Sequence, residues 1–210
     1  MENTAKSHWE KIYETKEESD SSWFQAYPKT SLEFVNLFHL PSDARIIDIG
    51  GGDSRMVDTL IELGYTNIYV LDISEKAIER AKKRLGDKAE RVTWIVSDVT
   101  SYQPDVEFDL WHDRAAFHFL ISEQQVSSYL STVSKAIKPE GFLVLGTFSE
   151  NGPKKCSGLE IKQYNETSMS ELFEKEFKRI KCIEENHTTP FNTVQNFVFC
   201  SFQKIILPIL

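Results

Sequence analysis

From Ala44 to Phe148 the chain repeats one pattern: a short apolar run, a tight turn, then an amphipathic stretch. Ala44–Gly50 reads as a buried strand. Asp53–Leu63 follows with Met56, Val57, Leu60, Ile61 and Leu63 at helical spacing, and Gly64 stops it. Asn67–Leu71 is a second strand, and Ser74–Leu85 is a helix with Ser74 as N-cap and Gly86 as stop. Val92–Val96, Phe108–His112 and Phe142–Phe148 complete a set of five strands, with a helix over Ser122–Ile137 closed by Pro139–Gly141. Strands alternating with helices in this way predict an α/β fold, a doubly wound parallel sheet with helices on both faces.

The flanks add to that sheet. A helix lies around Thr4–Glu14 and an amphipathic one over Ser31–Leu40. After the fifth strand come a loop (Ser149–Tyr164), a helix near Ser168–Phe177, and the runs Lys178–Glu184 and Val194–Phe202. These two runs read as a hairpin closing one sheet edge, turning through HTTPFNT. With 210 residues, no internal repeat and no dividing linker, residues 1–210 are expected to form a single domain. Within it, 1–42 form a helical lid, 44–148 the core, and 149–210 a substrate loop and C-terminal hairpin.

In a doubly wound sheet, ligands bind beyond the carboxyl ends of the strands, so the first turn, DIGGGDSR, matters most. Gly50 and Gly52 allow close approach of a ligand to the main chain. A dinucleotide fingerprint would need glycine at position 55, where Arg55 stands, and the acid Asp53 opposes a pyrophosphate at the helix mouth. Asp48 suits instead a ligand carrying an ammonium and a sulfonium. Asp72 ends the second strand about twenty residues beyond the glycines, where an acid can hold both ribose hydroxyls. Asp98 ends the third strand, placed to accept from an adenine amino group. Three successive strand ends bearing DIGGG, LDIS and SDV are the strongest signal in the chain.

Residues 44–148 resemble the core of a class I S-adenosylmethionine-dependent methyltransferase, on IIDIGGGDS, LDIS and SDV. The resemblance implies a Rossmann-like seven-stranded sheet, mostly parallel with an antiparallel C-terminal hairpin strand, and S-adenosylmethionine as cofactor. It also implies that Ile73 and Val99, beside the two acids, line the cofactor. Ser54 stands where many members have glycine; serine is small enough and can cap the helix. HWEKIY, SSWF and FDLWHDRAAFHFL are similar to the branch of thiopurine methyltransferases and elongation-factor lysine methyltransferases. By that resemblance Trp9, Tyr13 and Trp23 lie over the cofactor, and Asp113 and Arg114 serve its methionine end or each other.

Methyl transfer asks the protein mainly to align nucleophile and methyl and to exclude water. A base is needed only for a protonated nucleophile. His118 is the stronger candidate base, ahead of His112, although both read more readily as structural. Cys156 could meet a soft acceptor, and His187, Thr188, Thr189 and Phe191 fall near the substrate if the sixth strand is parallel. Segments 149–165 and 185–193 are therefore expected to set specificity. No Asn-Pro-Pro-Tyr motif is present, which disfavours amide and adenine amino acceptors.

The leading expectation is an enzyme with a small-molecule acceptor. A protein lysine methyltransferase is the alternative, and a non-catalytic cofactor binder a further one. A net charge of −8 and a pI near 5.2 disfavour a nucleic-acid partner. No apolar run reaches the roughly 20 residues that span a bilayer, and the polar N-terminus reads as no secretory signal. Cys156, Cys182 and Cys200 form no CxxC pair, so reduced thiols, no metal site and a cytoplasmic setting are expected.

Overall fold

The computed structural model describes residues 4–206; of the C-terminal run IILPIL, residues 207–210 lie outside them. In chain order the elements are α1 (Thr4–Thr15), α2 (Lys29–Leu37), β1 (Arg45–Ile49), α3 (Met56–Glu62), β2 (Asn67–Asp72), α4 (Glu75–Leu85) and β3 (Val92–Val96). Then follow β4 (Phe108–Arg114), α5 (Glu123–Ala136), β5 (Ile137–Phe148), the short pair β6 (Lys155–Cys156) and β7 (Leu159–Glu160), α6 (Glu166–Phe173), β8 (Phe177–Thr188) and β9 (Val194–Lys204).

The main sheet has seven strands in the order β3-β2-β1-β4-β5-β9-β8. β9 runs antiparallel to both its neighbours, and the other six strands share one direction. This is the Rossmann-like architecture expected, and the strand order reverses between β1 and β4, beside the glycine turn.

Strand alternation divides the core between the two faces. Ile47, Ile49 and Trp111 pack with Tyr129 of α5 and Phe173 of α6. Ile46 and Leu110 pack on the opposite face with Leu32 and Val35 of α2 and Met56 and Leu60 of α3. The register sets Ile46 beside Leu110 and Asp48 beside His112, so these four side chains share the α2 face. Asp113 falls on the other face, under α5.

Several boundaries differ from the sequence reading. α3 starts at Met56, because the Ser54 hydroxyl accepts from the Met56 N–H (3.0 Å) and keeps Asp53–Arg55 in the turn. β4 continues through Asp113 and Arg114, paired with Leu145 and Gly146 of β5. β8 runs on to Thr188, so His187 and Thr188 are strand residues and the turn shrinks to 189–193. Capping by Asn165, whose side chain accepts from Ser168 N–H, places α6 earlier than its apolar spacing indicated.

The expectation of reduced thiols at 182 and 200 is corrected. The β8–β9 register sets Cys182 directly opposite Cys200, their Cα atoms 4.2 Å apart, and the two form a disulfide. Eighteen residues separate them in sequence, and only the hairpin register brings them together. Cys156 is free and buried. A cross-link closing a loop of this size contributes about 3 kcal/mol. Reduction should therefore lower the thermal midpoint of the wild type and leave that of Cys182→Ser unchanged. An identical midpoint with and without reductant would show that the bond is not formed. No described helix is long and apolar enough to cross a membrane.

Candidate active site

The turn after β1 is built around carboxylates. Gly50 has φ +65°, and its N–H donates to the Leu71 carbonyl (2.7 Å), closing the turn onto β2. A Cβ at Gly51 would overlap the Asp48 carboxylate, and one at Gly52 would lie 2.8 Å from Asp72 Oδ2. The glycines thus clear space for the protein's own acids, and Gly50 and Gly51 then line the cavity in front of them. Gly52 contributes its N–H, which donates to Asp72 Oδ2 (3.0 Å).

Two adjoining cavities open at the carboxyl ends of β1, β2 and β4. Tyr13, Trp23, Ile49, Gly50 and Arg114 line both. The smaller is also bordered by Ser31, Asp48, Ser54 and His112. Asp72, Ile73, Asp98 and Val99 border the larger, with Trp9, Phe119, Gln125 and Cys156. All but two of the cofactor residues expected from sequence therefore meet here; Gly52 and Asp113 line neither cavity.

Each acid is anchored locally. Asp72 accepts from Gly52 N–H and from Ser74 N–H (2.8 Å). Burial nevertheless raises its pKa to about 6, against those two bonds. Asp98 Oδ1 accepts from the N–H and hydroxyl of Thr100 (2.9 and 2.7 Å). Asp48 Oδ1 meets His112 Nδ1 at 2.6 Å, while its Oδ2 is buried without a partner.

Asp113 is fully buried and turned away from the cavities. Its Oδ1 accepts from Ala116 and Phe117 N–H, and its Oδ2 from the Tyr129 hydroxyl (2.8 Å). Its reach to a methionine end or to Arg114 is therefore corrected: alternation points it at α5. Arg114 does face the cavities. Nη1 donates to the Trp23 carbonyl (3.0 Å), and the guanidinium lies 4.9 Å from the Phe197 ring centre. Nε and Nη2 are buried and unpartnered, and burial lowers the Arg114 pKa to about 10.

Trp9, Tyr13 and Trp23, from the N-terminal segment, form one cluster with Phe119. Trp9 lies 5.9 Å from Trp23 and 5.0 Å from Phe119, and Tyr13 6.3 Å from Trp23, by ring centres. Glu10 of α1 accepts from Glu75 and Lys76 N–H (2.7 and 3.3 Å) at the start of α4, supplying a negative charge where a helix N-terminus favours one. Lys76 pairs with Glu14 (2.6 Å). Glu18 then binds Arg55, and Arg84 bridges Asp53 and Asp58, each at 2.8 Å. Asp53, read from sequence as a free acid at the helix mouth, is thus neutralised by Arg84 and Arg80. Its charge no longer argues against an anionic ligand there.

The weak catalytic candidates fare differently. His118 is fully buried, accepts from Phe148 N–H through Nδ1, and burial pushes its pKa down to about 3, so it stays neutral and lines neither cavity. His187 Nε2–H donates to the Ser22 carbonyl (2.8 Å), tying β8 to the N-terminal segment. Cys156 does border the larger cavity, and burial raises its thiol to about 11. Of segments 149–165 and 185–193, Cys156 alone reaches a cavity wall. Sequence reasoning missed Ser31 and Phe119. Ser31, a polar residue among Leu32, Phe34 and Val35, was the available signal for the first.

Residues 46–141 match the family described as a methyltransferase domain. With the fold and the strand-end acids, residues 46–141 are similar to a methyltransferase domain of the class I, S-adenosylmethionine-dependent type. The chain is similar to the eEF1A lysine and N-terminal methyltransferase of Bos taurus, 24% identical over 161 residues, or 72% of this chain and 22% of that protein. It is also similar to malonyl-[acyl-carrier protein] O-methyltransferase 2 of Ilyobacter polytropus, 29% identical over 107 residues, or 50% of this chain and 40% of that one. The chain thus spans well under half the length of these curated relatives. Among solved structures, the 1,6-didemethyltoxoflavin-N1-methyltransferase of Burkholderia thailandensis, with S-adenosylhomocysteine bound, superposes with a TM-score of 0.72. It is 17% identical, and the match covers 96% of this chain and 88% of that one.

Proposed function

We propose that this chain transfers the methyl group of S-adenosylmethionine to a small-molecule acceptor. One observation carries the reading. Asp48, whose Oδ2 is buried without a partner, and Arg114, whose Nε and Nη2 are buried without partners, border the same cavity. Buried polar atoms are normally paired, and these two complement the ammonium and carboxylate of an amino-acid tail. Asp72 would take the ribose hydroxyls and Asp98 the adenine edge, with Ile73, Val99, Trp9, Tyr13 and Trp23 as apolar walls. Gly50, Gly52 and Ser54 shape the turn that holds these groups.

When bound, the cofactor supplies a methyl group already activated by positive sulfur. The chain's own part is alignment and exclusion of water, through a lid tied to α4 by Glu10 and to β8 by His187. That latched lid supports a covered pocket and a small acceptor. A protein lysine acceptor is the second reading, favoured by the bovine relative's name. The cytoplasmic setting rested on free thiols, and the Cys182–Cys200 pair removes that support. We read residues 1–210 as one unit, the lid, core and hairpin acting on one site.

Calorimetric titration with S-adenosylhomocysteine, with NAD as control, tests the reading. Micromolar binding of the first and none of the second is expected, after which thiols, carboxylic acids, small amines and lysine peptides are screened for methyl acceptance. Binding of neither ligand would overturn it.

A further inference from the structure

The smaller cavity is floored by a buried chain of three polar side chains. Asp48, His112 and Ser31 are each no more than 2% exposed. Asp48 Oδ1 lies 2.6 Å from His112 Nδ1, and His112 Nε2 lies 2.9 Å from Ser31 Oγ. A carboxylate only accepts, so Nδ1–H donates to Asp48. In the neutral ring Nε2 then accepts, and the Ser31 hydroxyl donates to it. Asp48 Oδ2 is left as the chain's one unpartnered atom, and Asp48 borders the cavity.

We infer that His112 is a positioning residue for the cofactor's amino group, acting through Asp48. The inference rests on the cofactor reading above. β1 and β4 are parallel and in register, so His112 and Asp48 stand side by side on the α2 face. The bond to Nδ1 holds one carboxylate oxygen at the histidine and leaves the other unpartnered beside Gly51, which also borders the cavity. Asp48 sets the ring's tautomer, and Ser31, brought over the sheet by α2, holds its tilt from behind, as partners behind metal-bound histidines do. Both His112 nitrogens are bonded within the floor, and the role inferred for the ring is to orient Asp48.

The test compares S-adenosylhomocysteine with 5′-methylthioadenosine, which keeps the nucleoside and sulfur but lacks the amino-acid tail. His112→Leu should weaken the first ligand about tenfold or more, the effect of misplacing one charge-assisted hydrogen bond, and leave the second essentially unchanged. His112→Asn, whose amide can donate to Asp48 from a similar place, should recover most of the loss. Ser31→Ala, which keeps both other members, should shift the same ratio in the same direction by a smaller factor, and it decides the matter if His112→Leu does not fold. Equal weakening of both ligands, or no change in their ratio in a folded variant, overturns the positioning role while leaving the cofactor reading intact. Failure of the wild type to bind either ligand overturns that reading instead.

Discussion

Asp72→Ala should bind S-adenosylhomocysteine at least a hundredfold more weakly than the wild type. A pair of charge-assisted hydrogen bonds to ribose hydroxyls is worth about 3–6 kcal/mol, and each 1.4 kcal/mol is about tenfold in affinity. The substitution also strips Gly52 and Ser74 N–H of their acceptor, so the thermal midpoint must be measured beside the titration. Asp72→Asn keeps the side chain's shape and separates the two effects. Binding as tight as wild type in either folded variant would remove Asp72 from the cofactor site.

The raised pKa of Asp72 adds a signature in pH. Its folded value, about 6, lies above the ordinary value of 3.8. The ligand-free fold therefore holds a proton that the unfolded chain has already lost. The associated stability is fully present below about 3.8 and is lost as pH rises through about 6. Buried Asp113, also raised to about 6, acts in the same sense. Ligand affinity runs the other way: hydroxyl donors favour the ionised Asp72, so binding should strengthen from pH 5 to 7, and Asp72→Asn should flatten that slope. A slope unchanged in Asp72→Asn would assign it to another group.

Arg114→Met is the second large effect, and it separates affinity from stability. Loss of two charge-assisted donors to a carboxylate should cost about 3–6 kcal/mol of S-adenosylhomocysteine affinity. 5′-Methylthioadenosine, without the carboxylate, should be spared. The ligand-free protein should meanwhile lose little stability, because the bond to the Trp23 carbonyl is lost but two buried, unpartnered guanidinium nitrogens are replaced by an apolar side chain of similar length. A melting point lowered by several degrees, with both ligands weakened alike, would make Arg114 a packing residue held by Phe197 and Trp23.

Much of the cofactor side is local information. Alternation of apolar runs and amphipathic stretches announces the parallel sheet, and in such a sheet an acid at the end of a strand stands at the ligand edge. Asp48, Asp72 and Asp98 could therefore be placed from their strands alone. Trp9 and Tyr13 share a helical turn in a polar segment, enough to single them out. Asp113 and Arg114 show the limit of this kind of reading. They are adjacent in sequence, yet pleating sends one to α5 and the other to the cavity.

Periodicity and strand ends are properties of short segments, and they encode the sheet and the acids along the carboxyl edge of its strands. Pairing across segments was decided only by the tertiary structure. Register joins Cys182 to Cys200 and sets Asp48 beside His112. Helix packing delivers Ser31 to that histidine and gathers three arginines around Asp53, Asp58 and Glu18. These contacts form between residues tens of positions apart, and no local pattern encodes which distant partner a side chain will meet.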